Sequence, residues 1–385
     1  MSLPPAVRAC DVLVIGGGPA GATAALLLAR AGRSVVVLEK IAFPRTKVCG
    51  EVVAAPAIRL LRELGLGERC DALAGPEIRR ILLWTGAAAF EAPMPRWRSG
   101  YPRAVRRESL DAMLLAQAAE TGVEVLQPST ACSLERQDGD FVCRAGERRG
   151  APTLMIRART VIGAHGSWES GALPTQPVSR PSSPADLLGF KARFTGVELA
   201  PHAIALVAFR GGYAGLVDCG GETTFAACVQ HGALETMRQG GEPAGESLLR
   251  AVMEQSAALR GAMRGARRQG SWIASGPLRP GRRPSQQLGV WAVGNALCEA
   301  HPVVGQGIAI AMQSARLLAE ALRAHEDPQR AARAYARAVR SRFALRLWLA
   351  ARFADLAMRP GAARRTERLL QRMPALITLA ARCAR

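Results

Sequence analysis

Residues 11–40 read DVLVIGGGPAGATAALLLARAGRSVVVLEK, and in this order they spell one dinucleotide-binding βαβ unit. A buried strand, Val12 to Ile15, runs into Gly16-Gly17-Gly18-Pro19-Ala20-Gly21. An alanine- and leucine-rich helix follows, then a second strand from Val35 to Leu38 that ends at Glu39 and Lys40. Each glycine has its own job: Gly16 permits the tight turn, Gly18 lets a pyrophosphate approach the backbone, and Gly21 lets helix and strand pack closely. The phosphates belong on the helix N-terminus at Gly18, Pro19 and Ala20, where the free N–H groups of the first turn (Pro19 itself has none) and the helix dipole favour anions. Glu39, 21 residues beyond Gly18, is at the distance expected of an acid that accepts hydrogen bonds from a ribose diol.

The whole chain of 385 residues is long enough for two connected domains around a large core. Apolar residues make up 49% of it, and no apolar run reaches the length of a membrane span. The first strand begins within about ten residues of Met1, which predicts no signal peptide. Nine scattered cysteines, never spaced as CxxC, predict a reducing cytoplasmic setting without a disulfide framework or a zinc site. Lys and Arg total 51 against 31 Asp and Glu, a net charge of +20. Only Lys40, Lys47 and Lys191 are lysines. No basic stripe is interleaved with stacking aromatics, so nucleic acid is not the expected partner; an anionic membrane surface or an acidic protein fits the charge better.

Outward from the βαβ unit, a loop (FPRTKVCGEVV) leads to a helix near 54–64, and residues 76–106 read as strands and turns. An amphipathic helix covers 107–121, a short strand 123–126, and two further strands fall within 130–160. TVIGAHG (160–166) is a buried strand entering a glycine turn, and the Pro/Ser-rich 172–184 marks a crossover. From 187 to about 272 the pattern is extended, with one helix near 243–259. GVWAVGNA (289–296) returns to a strand and glycine turn before a long helix, 307–324, and an arginine-rich helical tail. The expected class is α/β: a cofactor domain of 1–78, 101–180 and 285–330, an inserted, mostly antiparallel substrate sheet of 79–100 and 181–284, and a C-terminal helical segment, 331–385.

With these segments in order, the chain resembles the FAD-dependent monooxygenase superfamily. This is the GR2-type, glutathione-reductase-like flavoprotein fold shared by aromatic hydroxylases, geranylgeranyl reductases and flavin halogenases. The resemblance spans about residues 10–330. The βαβ unit is similar to the family's site for the ADP part of FAD. FPRTKVCGE (43–51) is similar to the P-R-x-K-x-C-G loop of the geranylgeranyl reductase branch, which passes beside the isoalloxazine. This implies cofactor roles for Arg45, Cys49 and Gly50. Arg107-Glu108-Ser109-Leu110-Asp111 matches a family helix start whose arginine reaches the cofactor. GNALCEAHPVVGQG (294–307) matches the segment that holds the ribityl chain and flavin, which implicates Gly294, Asn295, Pro302, Gly305, Gln306, Gly307 and Ile308. Two family aspartates are replaced, by His165 in Gly163-Ala164-His165-Gly166 and by Asn295. Asn295 keeps hydrogen-bonding capacity toward a ribityl hydroxyl, whereas His165 bears on docking of NADH or NADPH, the implied electron donor.

Candidate chemistry gathers near the implied flavin. His301 is a candidate general acid or base, with a purely structural histidine as the alternative. Cys49 either tunes the ring or is an inert buried thiol. Tyr213 lies on the strand implied to form the substrate wall, although Ala214-Gly215-Leu216-Val217 departs from the reductases' Y-x-W-x-F-P pattern. The tail from Ser341, with Phe343, Leu347, Phe353 and Leu356 among arginines, is expected to dock on the cofactor domain, with a membrane interface as the alternative. The resemblance implies hydroxylation of an aromatic or polyketide-like small molecule of secondary metabolism through a flavin C4a-hydroperoxide. Reduction of an unsaturated or lipid-like substrate is the alternative. Flavin halogenase is disfavoured by the missing W-x-W-x-I-P and by lysines that do not match the halogenase one; a non-catalytic flavin-binding protein is the fourth reading. A carrier protein or a separate flavin reductase are the partners these readings admit.

Overall fold

The computed structural model describes residues 6–147, 152–167, 170–171, 173–358 and 375–383. Its central sheet has strand Ala6–Ile15 between Leu154–Gly163 and Val35–Leu38, all parallel. Glu124–Leu126 extends one side and Val290–Ala292 the other, again in parallel. A sheet of this kind is covered on both faces, and the alternation of the first strand shows how. Val12 and Val14 face a cluster with the helices Pro19–Arg30, Arg107–Glu120 and Gly307–Ala324. Leu13 and Ile15 face the other way, against Phe141, Cys143 and Ile156. That second cover is an antiparallel meander of Thr130–Gln137, Asp140–Gly146 and the first half of Leu154–Gly163.

Here the structure corrects the sequence reading. The region holds the three strands expected, but the last, expected from Thr160, begins at Leu154. Arg157 and Arg159 break the apolar run in sequence, but they alternate with the buried Ile156 and Ala158 and leave the core face intact.

A seven-stranded sheet forms the other half of the molecule: Arg267–Leu278, Leu187–Thr195, Thr223–Gln230, Gly212–Asp218, Ala203–Phe209, Arg80–Thr85 and Ala88–Pro93, in that spatial order. All its pairings are antiparallel except that of Ala203–Phe209 with Arg80–Thr85. Segments from before and after the meander therefore share one sheet. The helix expected at 243–259 is two, Ala244–Gln255 and Ala257–Ala262. The break falls at Ser256, whose hydroxyl accepts the Leu259 N–H at 3.3 Å and caps the second helix. His231–Met237, an additional helix, was not foreseen.

The tail opens with a 31-residue helix, Pro328–Met358, and a shorter helix, Ala375–Cys383, packs Ile377 against Ile81 and Ala92 of the seven-stranded sheet. The long helix's stripe of Ala331, Tyr335, Val339 and Phe343 is buried in the cofactor core, where the Tyr335 hydroxyl donates to the Ala292 carbonyl at 2.8 Å. Further along, Ala354 packs with Leu187, Tyr213 and Cys228 of the seven-stranded sheet. The long helix straps the two sheets together. Among the described residues no helix is long and apolar enough to cross a membrane.

Candidate functional site

The glycine turn sorts its residues by what their space is for. Gly16 has φ +112°, and a Cβ there would lie 2.5 Å from the Ala164 carbonyl oxygen; at Gly21 a Cβ would lie 1.8 Å from the Gly16 carbonyl oxygen. Both are demanded by the fold itself. Gly18 is not: a Cβ would meet only the Arg45 guanidinium, at 3.8 Å. It precedes the helix Pro19–Arg30, whose first turn has no side-chain cap and starts with Pro19 and Ala20.

Glu39 is buried at the end of its strand. Its carboxylate accepts the Gly17 N–H at 2.8 Å and the Ile41 N–H at 3.1 Å, and lies 3.6 Å from the Arg45 guanidinium. A carboxylate has acceptor positions beyond these two. Arg45 stacks 4.7 Å above the Phe43 ring, and its buried Nε has no hydrogen-bond partner. Lys47, two residues on, is half-buried. Burial first, then the neighbouring Arg107 and Arg45 charges, push its ammonium down to about 8, against the opposing pull of Asp111 and Glu39.

The loop ends in a turn built around Cys49 and Glu51. The Cys49 thiol accepts the Glu51 N–H at 3.3 Å, Gly50 is exposed between the two sheets, and Glu51 takes a left-handed φ of +58°. Glu51 is wholly buried. It receives the Lys191 ammonium, the Thr224 hydroxyl at 2.5 Å, the Cys219 thiol at 3.4 Å and the Arg107 N–H at 3.3 Å. Burial would raise this carboxyl, but Lys191 and the other donors outweigh it and hold the carboxyl below its ordinary value. Arg107 forms a bidentate pair with Asp111 at 2.8 and 2.7 Å and lies beside the Cys49 thiol. Burial opposes its charge, yet Asp111 keeps its pKa above the ordinary arginine value.

The downstream strand turns at Gly294, whose φ is +60° and whose Cβ would lie 2.8 Å from that of Ala20; its N–H donates to the Ser314 hydroxyl at 2.9 Å. Asn295 is the half-buried member of an otherwise buried run, and its amide is 3.4 Å from Glu299. Pro302–Val304 forms a short helical turn ended by Gly305 at φ +61°. Gln306 is buried with an unpartnered Oε1, and Gly307 and Ile308 open the long helix with no side-chain cap. A Cβ on Gly307 would meet nothing within 4 Å. His165 bonds the Thr175 hydroxyl at 2.7 Å; burial, then the Lys40 and Arg283 charges, push it down to about 4, so the ring is neutral at neutral pH.

The structure brings together the two residues the sequence placed nearest a substrate. His301 Nδ1 lies 3.4 Å from the Tyr213 hydroxyl. Burial lowers the imidazole pKa below its usual value, with Asp355 of the tail helix pulling the other way. Burial raises Tyr213 well above the ordinary phenol value, aided by the adjacent Cys228 thiol. The sequence reading did not find Glu51–Lys191 as a pair, nor Asp355 and Cys228 as neighbours of His301 and Tyr213. A lysine inside the apolar strand LLGFKARF was the available signal for the first.

The chain matches the FAD binding domain family over residues 9–347 and belongs to it. It is 38% identical over 116 residues to the menaquinone reductase of Mycobacterium tuberculosis, covering 30% of this chain and 28% of that protein. It is 27% identical over 177 residues to the 2,4-dichlorophenol 6-monooxygenase of Delftia acidovorans, covering 41% of this chain and 30% of that protein. These matches thus span about a third or less of the relatives' own length. In fold it is similar to the myxobacterial chondrochloren halogenase CndH, with a TM-score of 0.77 at 22% identity, covering 97% of this chain and 91% of the other. The glutathione-reductase-like FAD fold and the FAD-dependent oxidoreductase class of its relatives agree with the motifs in the sequence.

The residues present fit FAD. Gly18 and Gly307 keep clear space that the protein itself does not use, each at an uncapped helix N-terminus. Arg45 Nε and Gln306 Oε1 are buried without partners beside them in sequence and place. Arg45, Lys47 and Arg107 gather here beside Glu39 and Asp111. A cationic cluster of this kind complements a pyrophosphate dianion.

Proposed function

We propose that the protein is an FAD-dependent monooxygenase that hydroxylates an electron-rich aromatic or polyketide-like small molecule. NADH or NADPH supplies the electrons, directly or through a separate flavin reductase. Bound FAD supplies the redox and oxygen chemistry. The observation that carries this reading is the His301–Tyr213 pair at the loop His301–Ile308. Tyr213 stays protonated because burial raises its pKa, and His301 is neutral because burial lowers its own. With Nδ1–H donating to the Tyr213 oxygen, Nε2 is the bare nitrogen and takes the proton of a phenol or enol. Deprotonation makes such a ring more electron-rich. The turn Gly305–Gly307 and the helix N-terminus behind it orient and stabilise negative charge at the flavin end.

A reductase acting on an unsaturated or lipid-like substrate is the second reading. The P-R-x-K-x-C-G loop and the identity with menaquinone reductase favour it. One experiment separates the two: anaerobic reduction of the FAD-loaded protein by NADH and by NADPH, then addition of phenolic and unsaturated candidates, each with and without oxygen. A product heavier by one oxygen atom supports the monooxygenase. A saturated product formed without oxygen selects the reductase, and reduced flavin that returns to the oxidised form with no change in any candidate overturns the hydroxylation proposal.

A further inference from the structure

The strap helix Pro328–Met358 has two working faces. Its inner face, through Val339, Phe343, Ala350 and Ala354, is buried. Its outer face carries Leu345, Trp348 and Leu356, which are 66%, 56% and 43% exposed. Spacings of three, four and eleven residues put Leu345, Trp348, Arg352 and Leu356 on one stripe, about 16 Å long. The exposed Arg342 borders it, and the Arg352 guanidinium lies 5.7 Å from the Trp348 ring. Docking on the cofactor domain and lying at an interface are thus not alternatives for this helix: one face serves the first and leaves the second free.

We infer that this outer face seats the protein on an anionic lipid surface. The helix contains seven arginines and one acid, Asp355, so an apolar ridge is embedded in strong positive charge. That combination, with a tryptophan among the apolar residues, is the physical description of an interfacial helix. A second copy of the chain is a poor occupant, because a two-fold contact would set Arg342 and Arg352 against arginines of the same stripe. A convex ridge also asks a rigid protein partner for a matching groove, whereas headgroups and acyl chains close around it. The inner side of the same helix packs on Tyr213 and on Val303 of the flavin-end loop, through Ala354, Ala357 and Met358. The lipid seat therefore lies over the candidate substrate end, and it stands whether the chemistry is hydroxylation or reduction.

The test is flotation of the full-length, FAD-loaded protein with vesicles of equal parts phosphatidylglycerol and phosphatidylcholine, against phosphatidylcholine alone. The wild type is expected to float with the anionic vesicles and to be released in part by salt. The double variant Leu345→Ser, Trp348→Ser should lose partitioning by about tenfold or more, with flavin content and circular dichroism unchanged because both side chains are exposed. Arg342→Gln with Arg352→Gln should weaken flotation at low salt only. Absence of flotation, equal flotation of the Leu345/Trp348 variant, a solution dimer that this variant dissolves, or capture by an acidic carrier protein without vesicle binding would each overturn the inference.

Discussion

Glu51 and Lys191 form a buried ion pair across the boundary between the cofactor loop and the seven-stranded sheet. Lys191 is 140 residues away in sequence, in the middle of the strand Leu187–Thr195. The pair fixes the end of the loop that carries Arg45, Lys47 and Cys49. It does so from the sheet that carries Tyr213, so the cofactor loop and the candidate substrate strand share one anchor.

Removing one partner leaves the other charged and dry. Lys191→Met is expected to destabilise the protein by about 3–5 kcal/mol, measured by urea unfolding, whereas Lys191→Met combined with Glu51→Gln should recover part of that loss. The depressed Glu51 carboxyl fixes the sign with pH. Its contribution is complete above the unfolded carboxyl value of about 4.3 and is lost as pH falls through the lower folded value. The acid limb of the stability profile should therefore be shallower in the Glu51→Gln protein. A double variant whose cost equals the sum of the two single costs would show that the pair has no coupling.

The glycine turn predicts opposite outcomes for two alanines. Gly21→Ala places a methyl against the Gly16 carbonyl and should prevent folding of the cofactor domain, seen as loss of soluble protein. Gly18→Ala meets only the Arg45 guanidinium, at an ordinary contact distance of 3.8 Å, so the apoprotein should keep its melting temperature within a few degrees while FAD affinity falls by about tenfold or more. Titration of apoprotein with FAD by fluorescence quenching reads this directly, and unchanged affinity would remove Gly18 from the phosphate site.

Local patterns made the cofactor half legible. The turn Gly16–Gly21, the helix Arg107–Glu120 and the helix from Gly307 are each specified by contiguous residues, and each is found where its motif placed it. The meander strand from Leu154 was obscured because its arginines occupy the outward positions of a β alternation. Glu51–Lys191, Tyr213–Cys228 and His301–Asp355 join segments remote in the chain, and a single sequence carries no term for such pairings. The lysine within an apolar strand was the exception, since a buried charge demands a partner even when it does not say which.

His301 gives the reaction its pH dependence if it takes the substrate proton. Its pKa lies below the ordinary value of about 6.5, and only the neutral ring accepts. Turnover should therefore be flat through neutral pH and fall on the acid side, below that value. His301→Asn should lower kcat by about a hundredfold or more and abolish the acid limb. Tyr213→Phe, which removes the orienting hydroxyl but not the acceptor, should cost less and keep the limb. A limb that survives in His301→Asn assigns the titration to another group.

Lys47 offers a reading of the cofactor site that needs no turnover. Without a bound anion its ammonium is pushed down to about 8 by burial and by Arg107 and Arg45, with Asp111 and Glu39 only partly compensating. A pyrophosphate at this cluster supplies the missing negative charge and favours the protonated amine, so binding and protonation are linked. FAD affinity should be constant below pH 7 and decline as pH rises through about 8, with proton uptake on binding in that range. In Lys47→Met the affinity should be lower by about tenfold at neutral pH and level across the same interval. Isothermal titration in two buffers of different ionisation enthalpy measures both quantities. A wild-type affinity that does not change between pH 7 and 9 would place Lys47 away from the phosphates, because no anion could sit against that amine without shifting its titration.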